Sequence, residues 1–418
     1  MSDVRDALHE GADVTAPSIG APPSPADALR ASAALVPLVG YWALDRLWSR
    51  SLPVNAVVPG RVELVTPAWV TRVLRPKLGG ARVESLTVEP HSSGTSVRAR
   101  IRLRYVSSGD APSLPATLFV KSTPSLATRI GNGLTGCAPA EAGFYNRVRP
   151  LLRIEAPHGY YSAVQPLAYR AIHLLEDLSA TRAATFWTPT TALTREQANQ
   201  LVEQLALLHA QAARTGFLDW RRPQWLRTYP QWWHATGGIS MIRRYHLRGQ
   251  QRADEQGITP PRLVGLGKRL WHSFEASVDA HRRLPHTLIH GDPHLGNWYI
   301  TGEGRMGLCD WQCISTGHWS RDLAYTLASA LTVDQRRDWE DSLIDSYLDR
   351  LGEEGGQVVS RDRARALYRL QLPGALAMWT TTLYPPKFLP AMQPTETSAE
   401  MLRRILTAID DHDVLRLA

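Results

Sequence analysis

Hydrophobic and polar residues follow two different periods along this chain. Residues 97–105, VRARIRLRY, alternate strictly, with Val, Ala, Ile, Leu and Tyr on one face and four arginines on the other. This is the pattern of a strand with one solvated face. The preceding RVESLTVEP, joined to it by HSSGTS, predicts a hairpin, and ATLFVK, which ends on Lys121, predicts a third strand. AIHLLEDLSA, residues 171–180, predicts a buried strand that runs into an acidic turn.

Helical periodicity dominates from residue 194 onwards. TREQANQLVEQLALLHAQ opens with a capping box from Thr194 to Gln197, and helices also predominate after residue 320. Earlier in the chain, AEAGFYNRV predicts a helix with Glu141 near its start, and the glycines of GNGLTG, residues 131–136, predict a flexible loop before it. The fold class predicted from these patterns is α+β, with a small antiparallel sheet region followed by a large helical region.

The pattern also predicts the boundaries of the regions. We expect a disordered tail over residues 1–25, an N-terminal helical extension over 26–80, a sheet lobe over 81–178 and a helical lobe over 179–418. The longest apolar run, residues 31–44, contains Pro37 and is too short to span a bilayer, so we expect a docked helix and no stable membrane insertion.

Composition narrows the function classes. The net charge is +8, but arginine greatly outnumbers lysine and no zinc-finger or aromatic RNA-binding motif is present, so nucleic acid is not the expected partner. Three cysteines cannot form a disulfide framework, and the polar N-terminus is unlike a signal peptide. These features predict a soluble protein of the cytoplasm.

The stretch LIHGDPHLGNWYI, residues 288–300, concentrates chemistry-bearing side chains between apolar flanks. Together with TGEGR and MGLCDW it predicts a β-hairpin that brings Asn297 beside Asp310, with Asp292 in the loop just before. Amide and carboxylate oxygens suit Mg²⁺, which joins such ligands to substrate phosphates, and Asp292 could accept a proton from an attacking hydroxyl. The alternative is that these residues only form turns.

The motif HGDPHLGN resembles that of the aminoglycoside phosphotransferase and choline kinase group within the protein-kinase-like superfamily. CDWQ, RDLAYTL, LLEDLS and LPATLFVK are similar to the ecdysteroid-kinase-like branch of that group. The likeness covers roughly residues 60–385 with the motifs in order. It implies a bilobal protein-kinase-like fold, with a small antiparallel sheet N-lobe and a large helical C-lobe.

The resemblance implies a role for each matching position. Asp292 corresponds to the catalytic aspartate, Asn297 and Asp310 to the metal ligands, and His290 and Asp322 to residues that support the catalytic loop. The residues that the resemblance places around the nucleotide are Lys121, Glu141, Gly94, Ser96, Leu175 and Glu176. Lys121 could instead be an ordinary lysine at a strand end, and Glu141 a solvated helix residue. His294 is expected to be incidental, and His209 a hydrogen-bonded histidine of the core.

The predicted function is the ATP- and Mg²⁺-dependent transfer of the γ-phosphoryl group to a hydroxyl of a small molecule. The alternative is a catalytically inactive nucleotide-binding regulatory module of the same fold. A protein kinase is not expected, since no activation segment follows Asp310. Residues 220–252 hold four tryptophans and seven arginines without a carboxylate, which predicts a neutral or anionic, partly hydrophobic acceptor if the tryptophans line a pocket rather than the core.

Overall fold

The computed structural model describes residues 38–43, 58–93, 96–106, 115–166, 168–218, 223–235, 239–385 and 392–416. The chain divides into two compact units. The sheet unit comprises Pro23–Leu151 and Ala156–Ala184, and the helical unit comprises Leu152–Glu155 and the chain from Thr185 onwards. Each unit has its own buried apolar core.

Five antiparallel strands form the centre of the sheet unit. They are β1 Arg82–Ser93, β2 Val97–Val106, β3 Thr117–Ser122, β4 Gly159–Gln165 and β5 Arg170–Glu176, in the order β1-β2-β3-β5-β4. The alternation of β2 explains its placement, since Ala99, Ile101 and Leu103 are buried while Arg102 and Arg104 are exposed. The predicted hairpin and third strand are confirmed.

One face of this sheet is covered by a helix from the predicted N-terminal extension. The helix Pro67–Leu74 begins at Thr66, whose hydroxyl accepts a hydrogen bond from the backbone of Trp69. Trp69 and Val70 are fully buried and share one core with the strand residues Ile101 and Leu118. Residues 58–78 therefore belong to the same apolar core as the sheet.

The loop predicted for GNGLTG is wrong, whereas the helix predicted after it is confirmed with an earlier start. Gly131 and Gly133 lie in a helix, Leu126–Leu134, that begins with a capping box between Ser125 and Thr128, and Gly136 precedes the next helix. Gly133 is needed there because a Cβ atom would lie 2.3 Å from the ring of Tyr169. The following helix begins at Cys137, not at residue 140, and continues beyond Gly143 as a π-helical turn, Phe144–Val148.

β5 is buried along its whole length, as predicted. The acidic residues after it do not form a simple turn, because Asp177 precedes a short helix, Leu178–Thr181. The predicted solvated face of β2 is also interrupted. Arg100 is only partly exposed and makes two hydrogen bonds to the carboxylate of Asp177, of 2.6 and 3.0 Å.

The helical unit confirms the helical half of the prediction. Its helices are Arg195–Gln211, Tyr229–Ala235, Ile239–Glu255, Gly267–Ala280, Ser320–Ala330, Val333–Glu353, Arg361–Gln371, Leu376–Leu383 and Thr395–Asp411. The predicted capping box is present, because Thr194 and Gln197 exchange side-chain and backbone hydrogen bonds of 2.9 and 3.2 Å. The α+β fold class, with a five-stranded antiparallel sheet followed by a helical region, is confirmed.

Short strands in the helical unit hold the chemistry-bearing loops. β7 Thr287–Ile289 pairs with β10 Ser315–Gly317, while β6 Thr185–Phe186, β8 Trp298–Ile300 and β9 Met306–Leu308 form a second small sheet. The antiparallel pairing of β8 with β9 confirms the hairpin predicted from the sequence. Asn297 directly precedes β8, and Asp310 lies just beyond the end of β9.

Part of the apolar run near the N-terminus falls within the described residues. Residues 38–43 are helical, and Leu38 is buried. None of the helices in the described part of the chain combines the length and apolar character that a bilayer crossing requires.

Candidate active site

The loop between β7 and β8 is tied to the helix Ser320–Ala330. The carboxylate of Asp322 accepts hydrogen bonds from the backbone N–H groups of His290, at 2.5 Å, and Gly291, at 3.0 Å. Gly291 has a φ of +81°, and a Cβ atom there would lie 2.4 Å from the carbonyl oxygen of Cys313. The turn that presents Asp292 therefore needs both a glycine and a buried acceptor for its amides.

Asp322 is fully buried but remains an acceptor. Burial by itself would raise its pKa, yet the hydrogen bond from His209 and the nearby charge of Arg321 lower the pKa below its usual value. His209 contacts Asp322 at 3.4 Å and the hydroxyl of Tyr347 at 2.7 Å. His209 is thus the hydrogen-bonded core histidine that the sequence predicts, and it also stabilises the support of the loop.

Asp292 is mostly buried, and neighbouring side chains approach both of its carboxylate oxygens. The hydroxyl of Tyr325 donates to Oδ1 at 3.0 Å. The amide nitrogen of Asn297 donates to the backbone oxygen of Asp292 at 2.8 Å and lies 3.4 Å from Oδ2. His294 Nε2 lies 3.7 Å from Oδ2. The expectation that His294 is incidental is wrong, because the loop folds its ring back onto the aspartate.

His290 braces the loop through both of its ring nitrogens. Nε2 lies 3.0 Å from the carbonyl oxygen of Cys309, which requires the proton on Nε2, and Nδ1 then accepts the backbone N–H of Asp292 at 3.3 Å. The ring packs edge-on against Trp311, with centroids 4.7 Å apart. Burial lowers the pKa of His290 even though Asp322 and Asp292 oppose this shift, so the imidazole is held neutral.

Asn297 and Asp310 offer oxygen ligands from the two ends of the hairpin. The backbone N–H of Cys309 donates to the carbonyl of Asn297 at 2.8 Å, which sets these ends side by side. The amide nitrogen of Asn297 is engaged by Asp292, so its side-chain oxygen is the group left for a ligand. Asp310 is partly exposed and has a φ of +62°, a strained conformation for a residue other than glycine.

This donor set fits Mg²⁺ better than a transition metal. Within the described ranges no group of three or more His, Cys, Asp or Glu side chains is arranged to hold a metal ion. Mg²⁺ uses one or two protein oxygens and completes its shell with water and substrate phosphates. An amide oxygen and a carboxylate meet that requirement.

In the sheet unit, Lys121 and Glu141 form a buried ion pair. Nζ of Lys121 lies 2.6 Å from Oε1 of Glu141, and each side chain is only 5% exposed. His173, the neighbour of Lys121 on β5, lies 3.8 Å from the other Glu141 oxygen. The alternative of Glu141 as a solvated helix residue is therefore wrong, and Lys121, although near the end of β3, is buried and ion-paired. The pair is held at the centre of the sheet unit.

The segment that holds Leu175 and Glu176, which the resemblance places around the nucleotide, is rigidly held. Leu175 is buried, and the carboxylate of Glu176 accepts hydrogen bonds from Arg182, Thr181 and the backbone of His158 at 2.7–3.0 Å. Burial would raise the pKa of Glu176, but these bonds, led by that from Arg182, lower it. The side chain of Glu176 is consequently committed to the protein, and its backbone N–H is also engaged, since it donates to the carbonyl oxygen of His158 at 2.9 Å.

Only part of the predicted nucleotide loop lies within the described residues. Ser96 is buried, and its hydroxyl has no hydrogen-bond partner among the described residues. Gly94 lies outside the described residues.

The predicted residues thus fall into two groups. Asp292, Asn297, His290 and Asp322 form one hydrogen-bonded network in the helical unit, with Asp310 adjacent to it, and Lys121 and Glu141 form a pair in the sheet unit.

The sequence patterns did not identify three further residues of the helical network. Trp379 Nε1 donates to the hydroxyl of Tyr325 at 2.8 Å, and its ring packs edge-on against His294. His294, two residues beyond Asp292, and Tyr325, one helical turn beyond Asp322, could have been found from their spacing. Trp379 gives no local signal, since it is distant in sequence from every residue it contacts here.

A sequence model described as the phosphotransferase enzyme family matches residues 128–367, more than half of the 418 residues. The match spans Glu141, the whole loop of Asp292 and the helix that carries Asp322. The narrower likeness to the ecdysteroid-kinase-like branch stays a prediction, because the matching model describes the broader family. The sequence matches no curated protein at a significant level.

Solved structures with a similar fold include several small-molecule kinases. A choline kinase from Cryptosporidium parvum is 12% identical with a TM-score of 0.49, covering 79% of this chain and 92% of that one. A macrolide 2'-phosphotransferase from Brachybacterium faecium is 16% identical with a TM-score of 0.40, covering 77% and 99%. An aminoglycoside phosphotransferase from Streptomyces rimosus, solved with ADP and streptomycin, is 16% identical with a TM-score of 0.41, covering 73% and 97%. Likeness at this level does not identify the substrate of this chain.

Proposed function

Because this chain belongs to the phosphotransferase enzyme family, we propose that it transfers the γ-phosphoryl group of ATP to a hydroxyl group of a small molecule. The observation that carries the proposal is the network around Asp292. A buried carboxylate is held by its neighbours beside an amide and a second carboxylate, both with oxygens suited to Mg²⁺.

We assign each residue a step in that transfer. Asp292 accepts the proton of the acceptor hydroxyl as its oxygen attacks the γ-phosphorus. Lys121 contacts the donor phosphates, and Glu141 fixes the ammonium group at 2.6 Å. Asn297 and Asp310 would hold Mg²⁺, which neutralises phosphate charge when bound. His290 and Asp322 keep the loop in position through their hydrogen bonds.

An inactive nucleotide-binding module is the less favoured alternative. An inactive protein would not need the buried Lys121–Glu141 pair or the braced Asp292. Burying charges is costly, and apolar residues of similar size would avoid that cost. Here Lys121, Asp292, Asn297 and Asp310 are all present. The full set supports an active enzyme.

We propose a neutral or anionic, partly hydrophobic acceptor. Support comes from Arg243, Arg244 and Arg248, which are exposed on the helix Ile239–Glu255 and would repel a polycation. The tryptophans give less support than the sequence suggests. Trp233 is buried and packs edge-on against Trp232 and Phe274, with ring centroids 5.1 and 4.9 Å apart, as expected of core residues. Trp220 lies outside the described residues.

A cytoplasmic location and the predicted regions, 1–25, 26–80, 81–178 and 179–418, also remain proposals. The location is supported by the cysteine content, since three cysteines cannot form a disulfide framework of the kind found in secreted proteins.

The function is tested by measuring transfer from γ-labelled ATP with Mg²⁺ to two acceptor panels, one of aminoglycosides and one of hydroxysteroids and polyketides. We expect turnover in the second panel. Asp292→Asn should lower kcat by about 100- to 10,000-fold while leaving Mg-ATP affinity nearly unchanged, because the amide cannot take the proton. Asp349→Asn, which alters an exposed carboxylate of the same unit, is the matched control and should retain full activity.

Two results would contradict these assignments. Transfer by Asp292→Asn at the wild-type rate would exclude Asp292 as the base. Turnover of aminoglycosides alone would exclude the proposed acceptor class.

A further inference from the structure

A chain of hydrogen bonds ends on the carboxylate of Asp292. Trp379 Nε1 donates to the hydroxyl oxygen of Tyr325 at 2.8 Å, and Tyr325 lies 3.0 Å from Asp292 Oδ1. An indole N–H can only donate, and an ionised carboxylate can only accept. The single hydroxyl proton of Tyr325 must therefore point at Oδ1.

Tyr325 has little freedom to leave this position. Its side chain is 1% exposed, and the guanidinium of Arg321 lies 4.5 Å from the centre of its ring. Arg321 in turn donates to the backbone oxygen of Gly291 at 3.2 Å, so the same cation contacts the ring and the loop. Burial, with a further contribution from the charge of Asp292, raises the pKa of Tyr325 well above its usual value. The hydroxyl thus stays protonated as a donor.

The two oxygens of Asp292 are consequently unequal. Oδ1 receives a hydrogen bond of 3.0 Å from a fully buried donor, whereas Oδ2 has only the longer approaches of Asn297, at 3.4 Å, and His294, at 3.7 Å. Asp292 is also the more exposed of the two hydrogen-bonded partners, at 8%. Oδ2 is the oxygen with lone-pair capacity left for a reacting group.

We propose that Tyr325, fixed by Trp379, is a positioning residue that holds Oδ1 of Asp292 and presents Oδ2 to the acceptor hydroxyl. This inference rests on the proposed function. In the transfer, the hydroxyl gives its proton to Oδ2 as its oxygen bonds to the γ-phosphorus, and the bond from phosphorus to the departing ADP breaks with its electron pair on ADP. Without the Tyr325 hydroxyl the carboxylate of Asp292 could rotate. A smaller fraction of bound acceptors would then find Oδ2 aligned with their hydroxyl group.

Tyr325→Phe tests the proposal because it removes only the hydroxyl. The assay is the release of phosphate from Mg-ATP with water as acceptor, which requires no knowledge of the natural substrate. We expect kcat to fall on the order of 10- to 100-fold, with KM for ATP changed less than about twofold. Trp379→Phe, which frees the hydroxyl to rotate, should lower kcat in the same way but by less.

The matched control is Tyr368→Phe. Tyr368 is also 1% exposed in the helical unit, and its hydroxyl bonds a carboxylate, Glu340, at 3.1 Å. Both variants lose one buried bond to a carboxylate, so their melting temperatures should fall similarly. Only Tyr325→Phe should lower kcat.

A double-mutant cycle separates positioning from a merely structural role. In the Asp292→Asn background, Tyr325→Phe should leave the residual rate unchanged, since no carboxylate remains to be oriented. The inference would be overturned if Tyr325→Phe lowered kcat equally in both backgrounds, or if Tyr325→Phe kept the wild-type kcat. Provided that Asp292→Asn is strongly impaired, either result leaves the proposed function intact. A wild-type rate for Asp292→Asn, or an inactive wild-type enzyme, would instead overturn the proposed function and this inference with it.

Discussion

Lys121 carries a charge that the sheet unit buries almost completely. Its ammonium group is compensated by Glu141 at 2.6 Å, and both side chains are 5% exposed. Two ions cannot be taken out of water without such a partner, because each would carry a desolvation cost of several kcal/mol. The pair therefore fixes a compact cation at one point of β3.

Replacing Lys121 by Arg keeps the charge but changes its shape. We expect Mg-ATP affinity to fall at least about 10-fold, because a planar guanidinium cannot occupy the position of the ammonium group. Isothermal titration calorimetry measures the effect directly. Lys77→Arg is the control, since Lys77 lies at the surface of the same unit over the ring of Tyr160. Unchanged affinity for Lys121→Arg would show that Lys121 does not contact the phosphates.

At the scale of elements, the loop between β7 and β8 depends on a backbone conformation that only glycine adopts easily. Gly291 has a φ of +81°, and a Cβ atom would meet the carbonyl of Cys313 at 2.4 Å. Gly304, in the turn between β8 and β9, has a nearly equal φ of +82° but no atom within 4 Å of the Cβ position. Comparing substitutions at the two glycines therefore distinguishes backbone strain, which both positions share, from a steric clash, which only Gly291 would suffer.

We expect Gly304→Ala to lower the free energy of unfolding by about 1 kcal/mol and to retain activity. Gly291→Ala carries the same strain and must also move the loop away from Cys313. It should lose more stability and nearly all activity, because the amides bonded to Asp322 would shift together with Asp292. Denaturant unfolding and the phosphate-release assay on both variants provide the comparison. Equal behaviour of the two would show that the clash is relieved without moving the loop.

At the scale of the whole molecule, the helical unit buries several histidines in the neutral form. Burial lowers the pKa of His246 to about 4 and that of His318 to about 3, and it lowers the pKa of His281 well below its usual value. In an unfolded chain each would titrate near pH 6.5. The unfolded state thus takes up protons that the folded state cannot, and stability is lost as the pH falls below about 6.5.

His246 offers a test of this pH dependence. Between pH 6.5 and 5, protonation of His246 in the unfolded chain should reduce the free energy of unfolding by about 2 kcal/mol. The variant His246→Gln should therefore show a flatter dependence of stability on pH in that window. His272→Gln, which alters an exposed histidine of the neighbouring helix, is the matched control for the loss of one imidazole. Chemical denaturation at several pH values measures both. An unchanged slope for His246→Gln would mean that His246 is not held neutral by the fold.

Local features of the sequence determined much of the fold and part of the site. The strict alternation of β2, the capping box at Thr194 and the glycine-bearing hairpin after Asn297 each depend on residues close in the chain. The spacing from His290 to Asn297 belongs to the same class, because a short loop brings its own side chains together. These features can be predicted from sequence because the interactions that form them join residues close together in the chain.

Tertiary packing decided the remaining features. Gly131 and Gly133 suggest a loop, yet this segment is a helix, and Gly133 is explained only by the ring of Tyr169, which leaves no room for a Cβ atom. Tyr325 meets Asp292 across 33 residues, and Trp379 meets Tyr325 across 54. The spacing of Tyr325 from Asp322 places it near the loop, but no local pattern encodes the contact with Trp379, which arises when two separate helices pack together. The sequence by itself placed Asp292 in its loop, and only the packed helical unit determined which of its carboxylate oxygens accepts the hydrogen bond from Tyr325.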